Sequence, residues 1–343
     1  MTFHNQIESD IQDLITKEFQ EHFQDSSILI TGASGLMGSY FTTLFQVFNK
    51  EFAGNTKLYL MSKSDIYPIL IEVDSFRLIL DLAHETSFKS LPKFDFVVHC
   101  AGHAQPSLFQ KSPMSTLSIN ATSTLKLLEI MSPTGTFLFL SSSEVYSGLN
   151  RTPFKESDLG QTGPEHPRSA YIESKRLGEA IMCNSHIEYP EIKTFAARLS
   201  LAYGPGVRIS DTRVLNQFIF KALKFGTIEL MDSGSDLRTY CYVRDAIEMC
   251  INIMMKGREK IYNVGGESTI SILELANMIA DKTSATVRLP ADSHSRLTGS
   301  PTDVRLDLEK IKSLAEKKPF VSLSTGLDFT LAWFIDQMKD GQF

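Results

Sequence analysis

Tyr171-Ile172-Glu173-Ser174-Lys175 places a phenol and an ammonium four residues apart, on one face if the segment is helical. A free tyrosine titrates at about pH 10 and is a poor base near neutrality, whereas a cation beside it stabilises the phenolate and lowers that value. Ser142, in the run Ser141-Ser142-Ser143, can hydrogen-bond the oxygen that such a phenolate would deprotonate. The chemistry open to this trio is removal of a proton from an alcohol. A Tyr-x-x-x-Lys pair taken alone describes a surface helix face equally well. Its weight here comes from what precedes it in the chain.

The strand-forming run Ser27-Ile28-Leu29-Ile30-Thr31 leads into Gly32-Ala33-Ser34-Gly35-Leu36-Met37-Gly38 and then into an apolar helical run, Tyr40 to Phe48. Gly32, Gly35 and Gly38 are spaced G-x-x-G-x-x-G. A strand, a tight glycine turn and a helix N-terminus form a cradle in which backbone approaches a pyrophosphate and the helix dipole favours its charge. Without that context the turn is an ordinary βα connection; with it the stretch predicts dinucleotide binding. A bound nicotinamide would be a second cation beside the Tyr171 phenol.

Lys57 to Met61 reads as a second strand, ending in Ser62-Lys63 where a carboxylate would bond the adenosine ribose of NAD. Ser62 and Lys63 tolerate a 2′-phosphate instead, so NAD and NADP both stay open. Ile69 to Val73 reads as a third strand, with Asp81-Leu82 in the loop beyond. Phe94 to Cys100 is a mostly apolar strand of the doubly covered kind, running into Ala101-Gly102, which permit close approach of a ligand. A helix over 113–131, a strand Thr136–Leu140, a loop over 148–168, a helix from Ser169 and a strand over 193–200 continue the alternation. Helices near 211–225, 243–256 and 271–283 and a strand near 227–231 follow without repeating a βα unit. The expected fold is α/β, a Rossmann-like doubly wound parallel sheet with a smaller C-terminal substrate-binding subdomain. The divisions are an N-terminal amphipathic helix within 1–25, a dinucleotide-binding domain over 26–200, and a mainly substrate-binding part over 201–343, some of which can return to the sheet. Ile7, Ile11, Leu14, Ile15 and Phe19 give the N-terminal stretch 7–24 helical spacing, expected to pack on the main body.

The 343 residues carry 34 basic and 40 acidic side chains, a net charge of −6, and no basic run. This charge favours neither nucleic acid nor an anionic membrane, so any bound phosphate must be held locally. The four cysteines have no C-x-x-C spacing, which suggests neither zinc nor a disulfide framework; no metal site is expected. Cys100 and Cys250 read as small hydrophobes in a reducing compartment. With no basic-then-apolar leader and no apolar run of membrane-spanning length, a cytoplasmic location is expected.

Several motifs together resemble the extended short-chain dehydrogenase/reductases of the nucleotide-sugar epimerase/dehydratase/decarboxylase group. They are Thr31-Gly32-Ala33-Ser34-Gly35-Leu36-Met37-Gly38, His99-Cys100-Ala101-Gly102, Ser141 to Tyr146, Tyr171 with Lys175, Tyr203-Gly204-Pro205-Gly206, Arg238 to Asp245, and Tyr262 to Gly266. The resemblance spans about residues 26 to 335. It implies oxidation of a nucleotide-linked sugar at C4 by an NAD-type cofactor, transformation of the 4-keto sugar, and return of the hydride. In that cycle Tyr171 takes the proton from the 4-hydroxyl, Lys175 holds the nicotinamide ribose, and Ser142 assists at the 4-oxygen. Gly32, Ser34, Gly35, Leu36, Met37, Gly38, Ser62, Lys63, Asp81, Leu82, Cys100, Ala101 and Gly102 are the other implied cofactor contacts. Arg238 falls where the group contacts the substrate's diphosphate or acidic end.

Ser143-Glu144 narrows the reaction. Sugar 4,6-dehydratases of the group have Asp-Glu here; Ser-Glu resembles UDP-glucuronate decarboxylases, in which a 4-keto acid loses its carboxylate. The segment from Gly204 through Asp211, Arg213 and Val214 to Ile219 resembles the same subgroup. It makes Glu144 a catalytic candidate and Ser143 and Arg213 substrate contacts. Leu201, the missing arginine ahead of Ser300-Pro301-Thr302-Asp303, and the non-acidic second strand depart from the group's pattern. A 4-epimerase or 4,6-dehydratase stays as the alternative within enzymes, and a non-catalytic dinucleotide sensor as the alternative outside them. A UDP-sugar substrate and a homodimer, formed through helices corresponding to 113–131 and 169–185, are further implications.

Overall fold

The computed structural model describes residues 3–63, 75–84, 87–290, 303–314 and 318–339. Two helices, α1 (Phe3–Gln12) and α2 (Lys17–Phe23), precede an alternating region. That region runs β1 (Ser27–Thr31), α3 (Leu36–Phe52), β2 (Lys57–Ser62), β3 (Ser75–Ile79), β4 (Phe94–His99), α4 (Pro106–Lys111), α5 (Pro113–Asn120), α6 (Thr122–Leu128), β5 (Met131–Ser142), α7 (Ser169–Asn184) and β6 (Lys193–Leu199). Shorter elements follow: β7 (Leu201–Tyr203), α8 (Val214–Phe225), β8 (Thr227–Glu229), β9 (Leu237–Tyr242), α9 (Val243–Lys256), β10 (Ile261–Val264) and β11 (Ser268–Ser271). The chain continues through α10 (Ile272–Thr283), β12 (Thr286–Arg288), β13 (Asp303–Val304), α11 (Glu309–Lys312) and α12 (Leu323–Lys339).

Seven of these strands form one sheet in the order β10-β6-β5-β4-β1-β2-β3, every pair parallel. The chain runs outward from β1 through β2 to β3 and then crosses to β4 on its other side. This reversal opens a crevice beyond the carboxyl ends of β1 and β4, where open α/β sheets bind ligands. Both faces of the sheet are covered, which is why its strands read as continuous apolar runs. Ile28 and Ile30 join a core built with Phe41 and Phe45 of α3 and Ile247 and Met254 of α9. Leu29 points the other way, into a core with Leu127 of α6 and Met182 of α7. A small sheet centred on β9 joins β7, β11 and β13, and β8 pairs with β12.

Two expectations need correction. The stretch 7–24 is two helices rather than one: Thr16 caps α2, its hydroxyl accepting the Phe19 N–H at 3.2 Å, so the chain turns there. Both helices bury their apolar residues, Ile7, Ile11, Phe19 and Phe23 among them, against the main body. The stretch 113–131 divides into α5 and α6, with α4 added ahead. It ends early because Ile130 and Met131 already pair with Phe94 at the foot of β4. The expected third strand, Ile69–Val73, lies outside the described residues; the strand beside β2 is Ser75–Ile79. β10 comes back from beyond residue 201 to complete the main sheet on β6.

Candidate active site

The glycine turn leaves β1 at the crevice. Gly32 has φ +65°, and a Cβ there would lie 2.7 Å from the Ala101 backbone, so β1 and the end of β4 approach as closely as they do only with glycine. A Cβ on Gly38 would fall 2.3 Å from the Gly32 carbonyl oxygen, which fixes the first turn of α3 against the loop. Gly35 is the N-cap of α3 and offers no side chain to its first N–H groups. Those donors and the dipole of a 17-residue helix are therefore left for an anion. Met37 is buried in the core, so its side chain packs while its backbone forms the turn.

At the edge of the crevice Ser62 ends β2, buried. Lys63 does not stand free, since its ammonium lies 2.8 Å from Asp81. Burial opposes ionisation of Asp81, but hydrogen bonds from Lys63 and from the Ala83 N–H outweigh it and hold its carboxyl below the ordinary range. Leu82 packs with Phe88 and Ile119 in the core rather than presenting its side chain to solvent. Beyond β4, Cys100 is partly buried and its thiol is pushed up by burial, as suits a small hydrophobe.

Ser142 closes β5, and Tyr171 and Lys175 lie on the first two turns of α7, all three buried. The Ser142 hydroxyl accepts the Glu144 N–H at 3.2 Å and stands close enough to Tyr171 to favour its phenolate. Burial raises Tyr171 to about 12 despite Ser142, Glu144 raises it further, and Arg213 and Arg168 pull it down. The Lys175 ammonium lies over the Tyr171 ring, 5.8 Å from its centroid. It also donates to the Leu140 carbonyl at 2.6 Å and lies over the Phe139 ring, and burial lowers it to about 7. The space above Gly102 faces this ammonium and the Asn120 Oδ1, 3.4 and 3.5 Å from where a Gly102 Cβ would sit. That Oδ1 is buried without a hydrogen-bond partner, while the Asn120 amide nitrogen donates to Thr116 O and Ser174 Oγ. A buried acceptor and a buried ammonium facing a gap bordered by glycine fit a hydroxylated ligand. With the glycine turn, this is the pattern a nicotinamide dinucleotide requires.

Glu144, in the 3₁₀ turn Ser143–Tyr146, accepts from both Nε (3.0 Å) and Nη2 of Arg168. Arg168 lies over the Phe109 ring, 5.5 Å from its centroid, and Phe109 stacks on Tyr171 at 4.9 Å and 11°. Sequence reasoning missed both Arg168 and Phe109. The only signal for them was an arginine directly ahead of a helix and an aromatic in a helix bounded by Pro106 and Pro113. Arg213 forks onto Asp211 and Arg238 reaches Asp236, each anchored by the aspartate two residues before it. Burial raises the Tyr240 phenol, and both guanidiniums act against that rise. Ser143, which follows Ser142 in sequence, is partly exposed. Among the described residues no cluster of metal-ligating side chains occurs, and no helix is long and apolar enough to cross a membrane.

A family model described as "NAD dependent epimerase/dehydratase family" matches residues 28–265. The chain is 28% identical over 313 residues to UDP-glucuronic acid decarboxylase 1 of Danio rerio, covering 91% of this chain and 73% of that protein. It is 30% identical over 321 residues to a dTDP-4-dehydro-6-deoxy-D-allose reductase of a Streptomyces species, covering 90% and 96%. In fold it is similar to a UDP-N-acetylglucosamine 4-epimerase of Methanobrevibacter ruminantium, with a TM-score of 0.79, 21% identity, and 92% and 100% coverage.

Proposed function

The chain belongs to the NAD dependent epimerase/dehydratase family, and from that premise we propose that it decarboxylates a UDP-linked hexuronic acid. It is an NAD-dependent enzyme acting on nucleotide sugars. When bound, NAD supplies the site that takes a hydride from the sugar C4 and later gives it back. Tyr171 removes the 4-hydroxyl proton as the C4–H bond breaks, and Ser142, whose hydroxyl stands beside the phenol, holds the same oxygen. The resulting ketone lies β to the C6 carboxylate. Cleavage of the C5–C6 bond releases carbon dioxide and passes the bonding pair into an enolate that the ketone stabilises. A proton from water replaces the lost carboxylate at C5, and Tyr171 gives its own proton back to the 4-oxygen as C4 is reduced again, which completes the cycle.

The observation that carries this reading is the turn after Ser142. Ser143 cannot serve as the acid of a water elimination, and Glu144 is committed to a two-point fork with Arg168. Removal of carbon dioxide needs no strong second acid, so a site with that side of the sugar ring neutralised suits it. Arg213 and Arg238 are the residues for the diphosphate or the carboxylate, a guanidinium fork matching either. Lys63 is answered by Asp81, which favours NAD over a 2′-phosphorylated cofactor.

Mass spectrometry of UDP-, dTDP-, GDP- and CDP-sugars incubated with the enzyme tests the reading. Loss of carbon dioxide from UDP-glucuronate is expected. Loss of water, or an unchanged mass with new retention, would overturn decarboxylation in favour of a dehydratase or an epimerase. Inertness toward every sugar would leave a dinucleotide sensor.

A further inference from the structure

Glu144, Arg168 and Phe109 come from three separate elements and meet around the Tyr171 ring. Arg168 is the N-cap of α7, and its carbonyl accepts the N–H groups of Tyr171 and Ile172, both at 3.1 Å. Its own N–H donates to His166 Nδ1 at 3.2 Å, so the backbone that carries the guanidinium is held on both sides. The guanidinium forks onto Glu144 through Nε and Nη2 and lies over the Phe109 ring, 5.5 Å from its centroid. Phe109 is buried and stacks nearly parallel on Tyr171. Carboxylate, guanidinium and the two rings therefore form one packed unit. Glu144 is tied to the site a second time, because its N–H donates to the Ser142 hydroxyl at 3.2 Å. The turn that holds it has its own anchor: Arg176 Nη2 donates to the Val145 carbonyl at 2.8 Å.

We propose that Arg168 is a positioning residue for the Tyr171 base: it neutralises the Glu144 carboxylate and holds, through Phe109, the plane of the phenol ring. A base that takes a proton from a sugar hydroxyl and returns it must reach its phenolate at the working pH. Burial opposes that phenolate most, with the Ser142 hydroxyl acting for it. Of the charges, Glu144 opposes it as well, whereas Arg213 and Arg168 favour it. Arg213 comes from the loop ahead of α8 and is paired with Asp211; Lys175, on the same helix as the phenol, lies over its ring. Arg168 differs from both because it sits on the very carboxylate that works against the base. The Arg168 and Glu144 side chains are only 21% and 22% exposed, so solvent screens their charges less than it would on an open surface. Removing the guanidinium alone leaves a bare carboxylate near the base and frees the Phe109 ring to tilt. Removing both charges restores the balance. This inference rests on Tyr171 as the proton acceptor, as in the proposed function, and not on which bond of the sugar then breaks.

The test follows ionisation of Tyr171 in the NAD-loaded full chain by NMR of tyrosine labelled with carbon-13 at Cζ, the signal assigned by its absence in Tyr171→Phe. Arg168→Gln is expected to raise the Tyr171 midpoint by about one pH unit, and adding Glu144→Gln to bring it back. With a nucleotide sugar that turns over, the limb of kcat/KM that rises with pH is expected to move by the same amount. At neutral pH kcat falls about 10- to 100-fold in Arg168→Gln while KM stays within about 2-fold. Arg168→Lys keeps the charge, so its midpoint stays near wild type and part of kcat returns. Because Arg176 anchors the turn, Arg168→Gln is expected to keep the wild-type urea midpoint. An unmoved Tyr171 midpoint in Arg168→Gln, or a shift that Glu144→Gln leaves in place, would overturn the proposal. So would a raised KM at unchanged kcat, which would make Arg168 a substrate contact, or a Tyr171 that keeps its proton over the whole folded range. If no nucleotide sugar turns over, the proposed function fails while the Tyr171 midpoint still decides the role of Arg168.

Discussion

Tyr171 is a buried phenol whose ring stacks on Phe109 and lies under the Lys175 ammonium, 5.8 Å from its centroid. Tyr171→Phe keeps that packing and removes only the base. It is expected to bind cofactor as wild type does and to lose turnover by roughly 10²- to 10⁴-fold, with retained activity excluding the assignment. His99 illustrates a different use of a buried titratable group. Its Nδ1 lies 2.6 Å from Thr31 Oγ1 and its Nε2 3.1 Å from the Ile119 carbonyl, so the neutral ring with Nε2 protonated satisfies both neighbours. Burial, with help from Lys175, lowers it to about 3. Between about 6.5 and 3 the unfolded chain therefore takes up a proton that the fold refuses. The stability from a neutral His99 is complete above that window and falls as pH drops through it, by on the order of a few kcal/mol. Urea unfolding over this range is expected to show a steep acid limb that His99→Asn flattens; equal slopes would contradict it.

The elements around the site are joined by a polar cluster that the spacing of residues did not reveal. Arg198 of β6 forks onto Glu179 of α7 at 2.9 and 2.8 Å, both nearly fully buried, and also donates to the Tyr146 hydroxyl at 2.8 Å. Ser141, next to Ser142, donates to the same carboxylate at 2.5 Å. The cluster therefore sets the distance between the end of β5 and the helix that carries Tyr171 and Lys175. Glu179→Ala leaves a buried guanidinium uncompensated and is expected to cost about 3–5 kcal/mol, read as a lower urea midpoint; an unchanged midpoint would mean that α7 is held by apolar packing alone. This contrast explains what sequence could reveal. β1, β4 and the glycine turn were legible because their pattern is local: consecutive apolar residues and three glycines at fixed spacing. Tyr171 and Lys175 were legible because four residues is one helical step. Glu179 and Arg198, Glu144 and Arg168, Ser34 and Arg208 are separated by 19, 24 and 174 residues, and only the folded chain brings each pair together. The break at Thr16 and the division of 113–131 were missed because a capping hydroxyl and an early strand pairing outweigh helical periodicity.

At the scale of the whole molecule, one side combines α4 to α7 with apolar side chains turned outward. Leu108, Met114, Leu125 and Leu177 are all exposed, Met114 by 69%. These helices include the pair that the family resemblance makes a dimer face, and an outward patch of this kind is what a second copy would cover. Sedimentation is expected to give a dimer, and Leu125→Glu with Leu177→Glu a folded monomer; a wild-type monomer would contradict it. The crevice at the β1–β4 reversal and the buried trio of Ser142, Tyr171 and Lys175 fit a molecule that holds one cofactor while a sugar is oxidised and reduced again. The most direct test follows a nucleotide sugar that turns over and is deuterated at C4. If the hydride is taken and returned within one site, the product keeps its deuterium at C4, and the reduced-nicotinamide absorbance rises and falls within a single turnover. Product with hydrogen at C4, or turnover with the C4 label never transferred, would contradict the account.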